Sequence, residues 1–319
     1  MPSSTYAHSP FFFFNFLNAA FPAASSALPE LVARINKLEA QQVAVDVGLL
    51  PMLQKGLFSV LDKDGHPVCC GFFVRESGVA LTVNHGNMDW LLPGGVVHAV
   101  MLRDMAAYGA GRATATAAAA ADDSVGLALP DEVRLKFKVH SFSEEDALDY
   151  TCLILTSPAL PGTFQPLPLP PVGLSRETLI GAHATLLHGS IALNRHFKQQ
   201  PSASLFPCTI FTAHEDRVLY TAATAGGDSG GALVLHGKVL IAMHVEGLND
   251  VGDAEFMSPT EGKGRGAKRM RLSEASPSTT GVALRLDLRE VQAAIAAADQ
   301  HVLQVLAAAA AGAGDGGKA

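Results

Sequence analysis

Between Gly56 and Arg103 the chain is written in short apolar runs closed by Gly, Pro, Asp or Asn: "GLFSVLDKDGHPVCCGFFV", "GVALTVN" and "GGVVHAVMLR". Runs of that length, rich in Val, Leu and Phe and bounded by turn residues, predict strands and hairpins. Lys63–Gly65, in "KDG", supplies a hairpin turn. The same texture returns from about Phe164 to Leu286, in "TLIGAHATLLHG", "FPCTIFTAHE", "RVLYTAAT", "GALVLHG" and "KVLIAMHVEG". Two β-rich halves follow one another, at the spacing of an all-β barrel or sandwich. Helical spacing of apolar residues occurs at both ends. Leu28–Gln41 predicts a short helix, and Leu286–Ala310 a longer C-terminal one.

Two low-complexity stretches interrupt the pattern. Ala106–Ser124 is alanine-rich, and Ser258–Gly281 is polar, basic and proline-flanked. Both predict solvated insertions rather than core. The run "KGRGAKRMRL" reads first as a solvated loop, with a nuclear-import or phosphate-binding patch as the alternative. The segment Ser9–Ala27 is apolar and followed by small residues, yet the first basic residue of the chain is Arg34. A secretory signal carries positive charge ahead of its apolar run. The expectation is a surface arm, and the run is too short to span a bilayer.

Composition narrows the classes. The 319 residues are 48% hydrophobic and 17% charged, which supports a sizeable core and excludes global disorder. A net charge of -7 argues against a general nucleic-acid binder. The four cysteines form no disulfide framework: Cys69 and Cys70 are adjacent, and Cys152 and Cys208 lie in apolar runs as buried thiols. This cysteine usage points to a reducing, intracellular compartment; the alternative is secretion, with residues 9–27 acting as a signal.

Three polar residues then stand out. Ser229 lies in "GGDSGG", Gly226–Gly231. A serine hydroxyl is a poor nucleophile until a nearby base takes its proton. Glycines around it expose the hydroxyl and let backbone N–H groups, here of Gly227 and Ser229, face a developing oxyanion. Asp228 reads as a prop for the turn. The alternative is that Gly-Asp-Ser-Gly-Gly is ordinary turn chemistry. His85 closes the run "VALTVNH", where an imidazole can be held at a barrel's mouth; with 12 histidines in the chain, one alone says little. Asp149 opens the apolar run "DYTCLIL", where a carboxylate can be shielded and still orient an imidazole N–H. Asp146 is the rival acid. No zinc-spaced Cys/His cluster occurs.

Taken together, "TVNH", "DYTCLIL" and "GDSGG", in the order His, Asp, Ser, resemble the chymotrypsin-like (trypsin-fold) serine peptidases over roughly Leu57–Leu286. The nearest members are the Deg-type, glutamyl-endopeptidase-like and viral chymotrypsin-like ones, which lack the full disulfide set. The resemblance implies two six-stranded antiparallel β-barrels, with a C-terminal α-helix and a short N-terminal helix. The chain then divides into an arm and short helix over 1–42 and a first barrel over 43–160, with the insertion at 106–124. A second barrel covers 161–286, with the basic insertion at 253–281, and the helix and tail cover 287–319. The resemblance implies Ser229 as nucleophile, His85 as base and Asp149 as orienting acid. It implies no metal or organic cofactor, and a polypeptide substrate. It also places the S1 pocket, which receives the substrate side chain before the cut bond, beside the strand ending in "MHVEG". His244 there, with Thr224 five positions before the serine, would favour Glu or Gln; Glu246 would narrow the pocket or favour Gln. The alternative for His244 is a buried core histidine, and for the whole chain a catalytically silent member that binds peptides.

Overall fold

In the computed structural model the described residues are 47–85, 92–105, 134–143, 148–157, 164–189, 204–224, 227–235, 239–248 and 278–313. All belong to one compact unit, Val45–Ala319. The expected helix at Leu28–Gln41, the arm at Ser9–Ala27, the alanine-rich insertion, Asp146 and most of the basic loop lie outside them.

A 3-10 turn (Val47–Leu49) leads into helix α1 (Leu50–Gly56), with Pro51 in its first turn, where a missing N–H costs nothing. Six strands follow: β1 (Leu57–Leu61), β2 (Pro67–Phe73), β3 (Val79–Thr82), β4 (Val96–Met101), β5 (Arg134–Ser143) and β6 (Tyr150–Leu155). They close as a barrel in the order β1-β2-β3-β6-β5-β4. Helix α2 (Arg176–Leu179) precedes the second set: β7 (His183–His188), β8 (Ser204–Ala213), β9 (Arg217–Thr224), β10 (Ala232–Leu235), β11 (Val239–Leu248) and β12 (Ser278–Arg285). These close as β10-β11-β12-β9-β8-β7. Read around the ring, the second barrel repeats the strand order of the first. Every pairing is antiparallel. Closure leaves no edge to be covered.

Several strands, such as Leu57–Leu61, Val79–Thr82 and His183–His188, are buried on both faces, and the reason lies in the packing. Leu186, Val218, Leu233 and Ala283 fill the second barrel. Their neighbours Leu187, Leu219, Val234 and Leu284 point the other way, into a core continuous with the first barrel. A period of two that is buried on both sides reads as an unbroken apolar run. Helix α3 (Arg289–Ala313) joins that larger core through Val291, Ile295, Ala298 and Val302. Beyond Val302 it leaves Leu303, Val305 and Leu306 exposed. By length and composition Arg289–Ala311 also meets the requirements of a membrane span, although its first half packs on protein.

Local differences from the sequence reading have local causes. Thr178–Gly189 was expected as one strand, but Arg176–Leu179 forms a helical turn and the strand begins at His183. The Ser175 hydroxyl donates to the Glu177 carboxylate, a side-chain bond that favours a turn over extension. Strand β5 was not anticipated, since its alternation "RLKFKVHSFS" keeps only Phe137 and Val139 buried. Strand β12 begins inside the stretch assigned to the basic loop. The C-terminal helix runs Arg289–Ala313 rather than Leu286–Ala310.

Candidate active site

Antiparallel pairing of β3 with β6 sets Thr82 opposite Thr151. The residues just past the end of β3 and just before the start of β6 therefore emerge at the same rim of the barrel. His85 and Asp149 occupy those places. His85 Nδ1 lies 2.7 Å from Asp149 Oδ2. The Asn84 backbone N–H donates to Asp149 Oδ1 at 3.0 Å, and the Thr151 hydroxyl donates to Asn84 Oδ1 at 3.1 Å. Both carboxylate oxygens are thus engaged while Asp149 is only 3% exposed. A buried carboxylate needs such partners to stay tolerable. Asp149 takes a left-handed backbone, φ 57°, a conformation in which Asp and Asn are among the few residues at ease.

Ser229 comes from the second barrel, between β9 and β10. Its Oγ lies 3.0 Å from His85 Nε2 and 3.1 Å from the Val245 carbonyl, so the single hydroxyl proton has two acceptors in range. The turn that carries it is tied on several sides. Gly230 N–H donates to the His244 carbonyl at 2.7 Å, and His244 N–H to the Gly231 carbonyl at 2.8 Å. The Cys70 N–H of β2 donates to the Ser229 carbonyl at 2.7 Å. Asp228 is fully buried, with His188 Nδ1 2.9 Å from its Oδ1. That geometry suits the propping role expected of it.

The substrate-facing expectations fall on two sides of the serine. His244 is 1% exposed and Thr224 is buried, while Glu246 is half-buried. Tyr220 OH meets His244 Nδ1 at 2.8 Å. Burial drives the His244 imidazole down to about 4, against an opposing pull from Asp228 and reinforced by His188 and His85. The Val282 backbone also engages the ring. Burial pushes the Tyr220 phenol well above its ordinary range, so it stays an O–H donor. Gly281 makes the contact possible: a Cβ there would sit 2.4 Å from Tyr220 Cζ. Burial raises the Glu246 carboxyl, with the Asp149 charge adding to the rise and the His85 and Arg217 charges opposing it. Among the described residues no group of three or more His, Cys, Asp or Glu is placed to hold a metal ion.

Sequence reasoning missed Tyr220, His188, Asn84, Thr151 and Cys70. Asn84 stood next to His85 in "TVNH". The others are strand residues with no local signal, because their partners come from distant parts of the chain.

No protein-family model matches the sequence, and no curated protein matches it. Among solved structures, a Glu endopeptidase in complex with MPD aligns with a TM-score of 0.50 at 12% identity, over 77% of this chain and 91% of that one. Human heparin binding protein aligns with a TM-score of 0.45 at 14% identity, over 75% and 89%. The MamO protease domain from Magnetospirillum magneticum (apo form) aligns with a TM-score of 0.43 at 10% identity, over 74% and 94%. At 12% identity the first likeness is one of fold, and the other two fall below the level at which likeness carries weight. With two closed six-stranded barrels in the same strand order, the chain has the trypsin-like double-barrel fold.

Proposed function

We propose that this chain is a serine-type endopeptidase with Ser229 as nucleophile, His85 as base and Asp149 as orienting acid. The observation that carries the reading is the unbroken line from Asp149 Oδ2 to His85 at 2.7 Å and from His85 to Ser229 Oγ at 3.0 Å. The Asp149 carboxylate accepts Nδ1–H and leaves Nε2 as an acceptor for the serine proton. Ser229 Oγ attacks the carbonyl carbon of the peptide bond, and its proton passes to Nε2. The N–H groups of Gly227 and Ser229 receive the negative oxygen. The imidazolium then returns the proton to the leaving amine as the C–N bond breaks. Water, deprotonated by the same nitrogen, releases the acyl group from Ser229.

The proposed S1 pocket uses Thr224 and His244, with Glu246 on its rim. An imidazole titrating near 4 is neutral at pH 7 and offers an N–H rather than a charge. Tyr220 holds it so by donating to Nδ1. A neutral donor suits the amide oxygen of Gln, and the Glu246 carboxyl works against an acidic side chain, so Gln is preferred to Glu. The P1 amide must share or replace the ring's contact with Val282. No metal or organic cofactor takes part in these steps, and the partner is a polypeptide substrate.

A fluorophosphonate probe tests the chemistry. Covalent labelling of the full chain that disappears in Ser229→Ala is the expected result. Folded protein that takes no label would leave only a peptide-binding role. A peptide library varied at P1 tests the pocket, and equal cutting after Gln, Glu, Ala and Leu would remove His244 from it.

A further inference from the structure

Cys70, in β2 of the first barrel, meets the nucleophile turn of the second barrel at three successive places. Its thiol donates to the Gly227 carbonyl with Sγ···O 3.6 Å, within reach for sulfur. Its N–H donates to the Ser229 carbonyl at 2.7 Å. Its own carbonyl lies so close to Gly230 that a Cβ on that residue would stand 1.9 Å from the oxygen. The thiol is itself held, since the Gly189 N–H donates to Sγ at 3.2 Å. The carbonyl is held too, by the Thr82 hydroxyl at 2.7 Å. Cys69, by contrast, turns its sulfur to Thr82 Oγ1 at 3.4 Å and touches none of the turn by these bonds.

Two alternate peptide planes of the turn, Gly227–Asp228 and Ser229–Gly230, are therefore pinned by one residue. Between and beside them lie the N–H groups of Gly227 and Ser229. We propose that Cys70 is a positioning residue of the nucleophile turn, its thiol orienting the peptide that separates the two oxyanion donors. This rests on the serine-peptidase reading above. The thiol does no covalent chemistry in this role. Burial pushes it well above its ordinary range, with the Asp228 charge adding to the rise, so the S–H stays intact as a donor. A buried donor aimed at a buried carbonyl keeps that peptide from rotating, because rotation would strand both groups. Oxyanion stabilisation depends on donors fixed before the charge develops, so loosening the turn lowers the rate of the chemical step more than the affinity for substrate.

The test compares the full-length protein with Cys70→Ala and Cys70→Ser, using a cleavable peptide substrate and the fluorophosphonate labelling rate. Serine keeps one donor and one acceptor; alanine keeps neither. In Cys70→Ala, kcat and the labelling rate are expected to fall about tenfold to a hundredfold, with KM within about twofold of the parent. Cys70→Ser is expected to recover most of that loss. If the alanine variant does not fold, Cys70→Val, which fills space without a donor, takes its place in the comparison. A donor-free variant with the parent's kcat, or a serine variant as slow as the donor-free one, overturns the proposal: the residue would then be packing alone. A parent protein that the fluorophosphonate fails to label overturns the peptidase reading instead, and this inference falls with it.

Discussion

Gly230→Ala is the substitution whose cost can be worked most directly from the geometry. Gly230 has φ 82°, in the left-handed region. An alanine there costs about 1–2 kcal/mol in backbone strain alone. Its Cβ would lie 1.9 Å from the Cys70 carbonyl oxygen and 2.7 Å from the carbonyl carbon. Both atoms are backbone, in a strand paired on both sides, and cannot swing aside as a side-chain end could. The turn and β2 must separate by about 1 Å or more before the contact becomes tolerable, an overpacking cost of about 1–3 kcal/mol. That separation breaks the 2.7 Å bond from Cys70 N–H to the Ser229 carbonyl, adding roughly 1 kcal/mol or more for the buried groups left unpaired. The total is about 3–6 kcal/mol. For a chain of this size that corresponds to a fall in Tm of about 5–10 °C. Calorimetry or urea unfolding measures it. Because the turn also carries the oxyanion donors, fluorophosphonate labelling of the folded variant should slow by about two decades. A variant within about 1 kcal/mol of the parent that labels at the parent's rate would refute the claim that this close approach builds the site.

Two further predictions separate chemistry from folding. Asp149→Asn keeps a residue that tolerates φ 57° and an oxygen able to accept the Asn84 N–H; kcat should drop by about 10⁴ through the wrong imidazole tautomer, with Tm nearly unchanged, and a drop of less than tenfold would dismiss Asp149 as the orienting acid. His244 links stability to pH: its folded value near 4 lies below the ordinary 6.5 of a free imidazole, so the unfolded chain binds the extra proton between those values. Stability is therefore full above about pH 6.5 and falls as the pH drops towards 4, by about 2 kcal/mol at pH 5. The raised Glu246 carboxyl acts in the opposite direction, so the measurement is the difference from His244→Gln, whose urea midpoint should lose this dependence; identical pH profiles for the two proteins would reject it.

The residues that touch reacting groups were legible because each sits at a break in a local pattern. His85 ends an apolar run, Asp149 begins one, and Ser229 stands among glycines where the pattern stops. The strands around them were readable from their alternation and turns wherever one face, or both, is buried. Strand β5 escaped because much of its face stays half-exposed, and α2 because four residues are too few to display a period. Thr224, His244 and Glu246 were singled out by resemblance, and Tyr220, which sets the state of His244, was hidden in an apolar run.

Short-range order, then, was already in the chain: where it extends, where it turns, and which side chains are left at the ends. What only the closed barrels decided is who meets whom. Tyr220 finds His244 from 24 residues away, Ser229 finds His85 from 144, and Cys70 finds Gly227 from 157. Such partners are chosen by sheet closure and by the packing of one barrel on the other. These are cooperative outcomes of burying many apolar side chains at once, and no single stretch of sequence carries them.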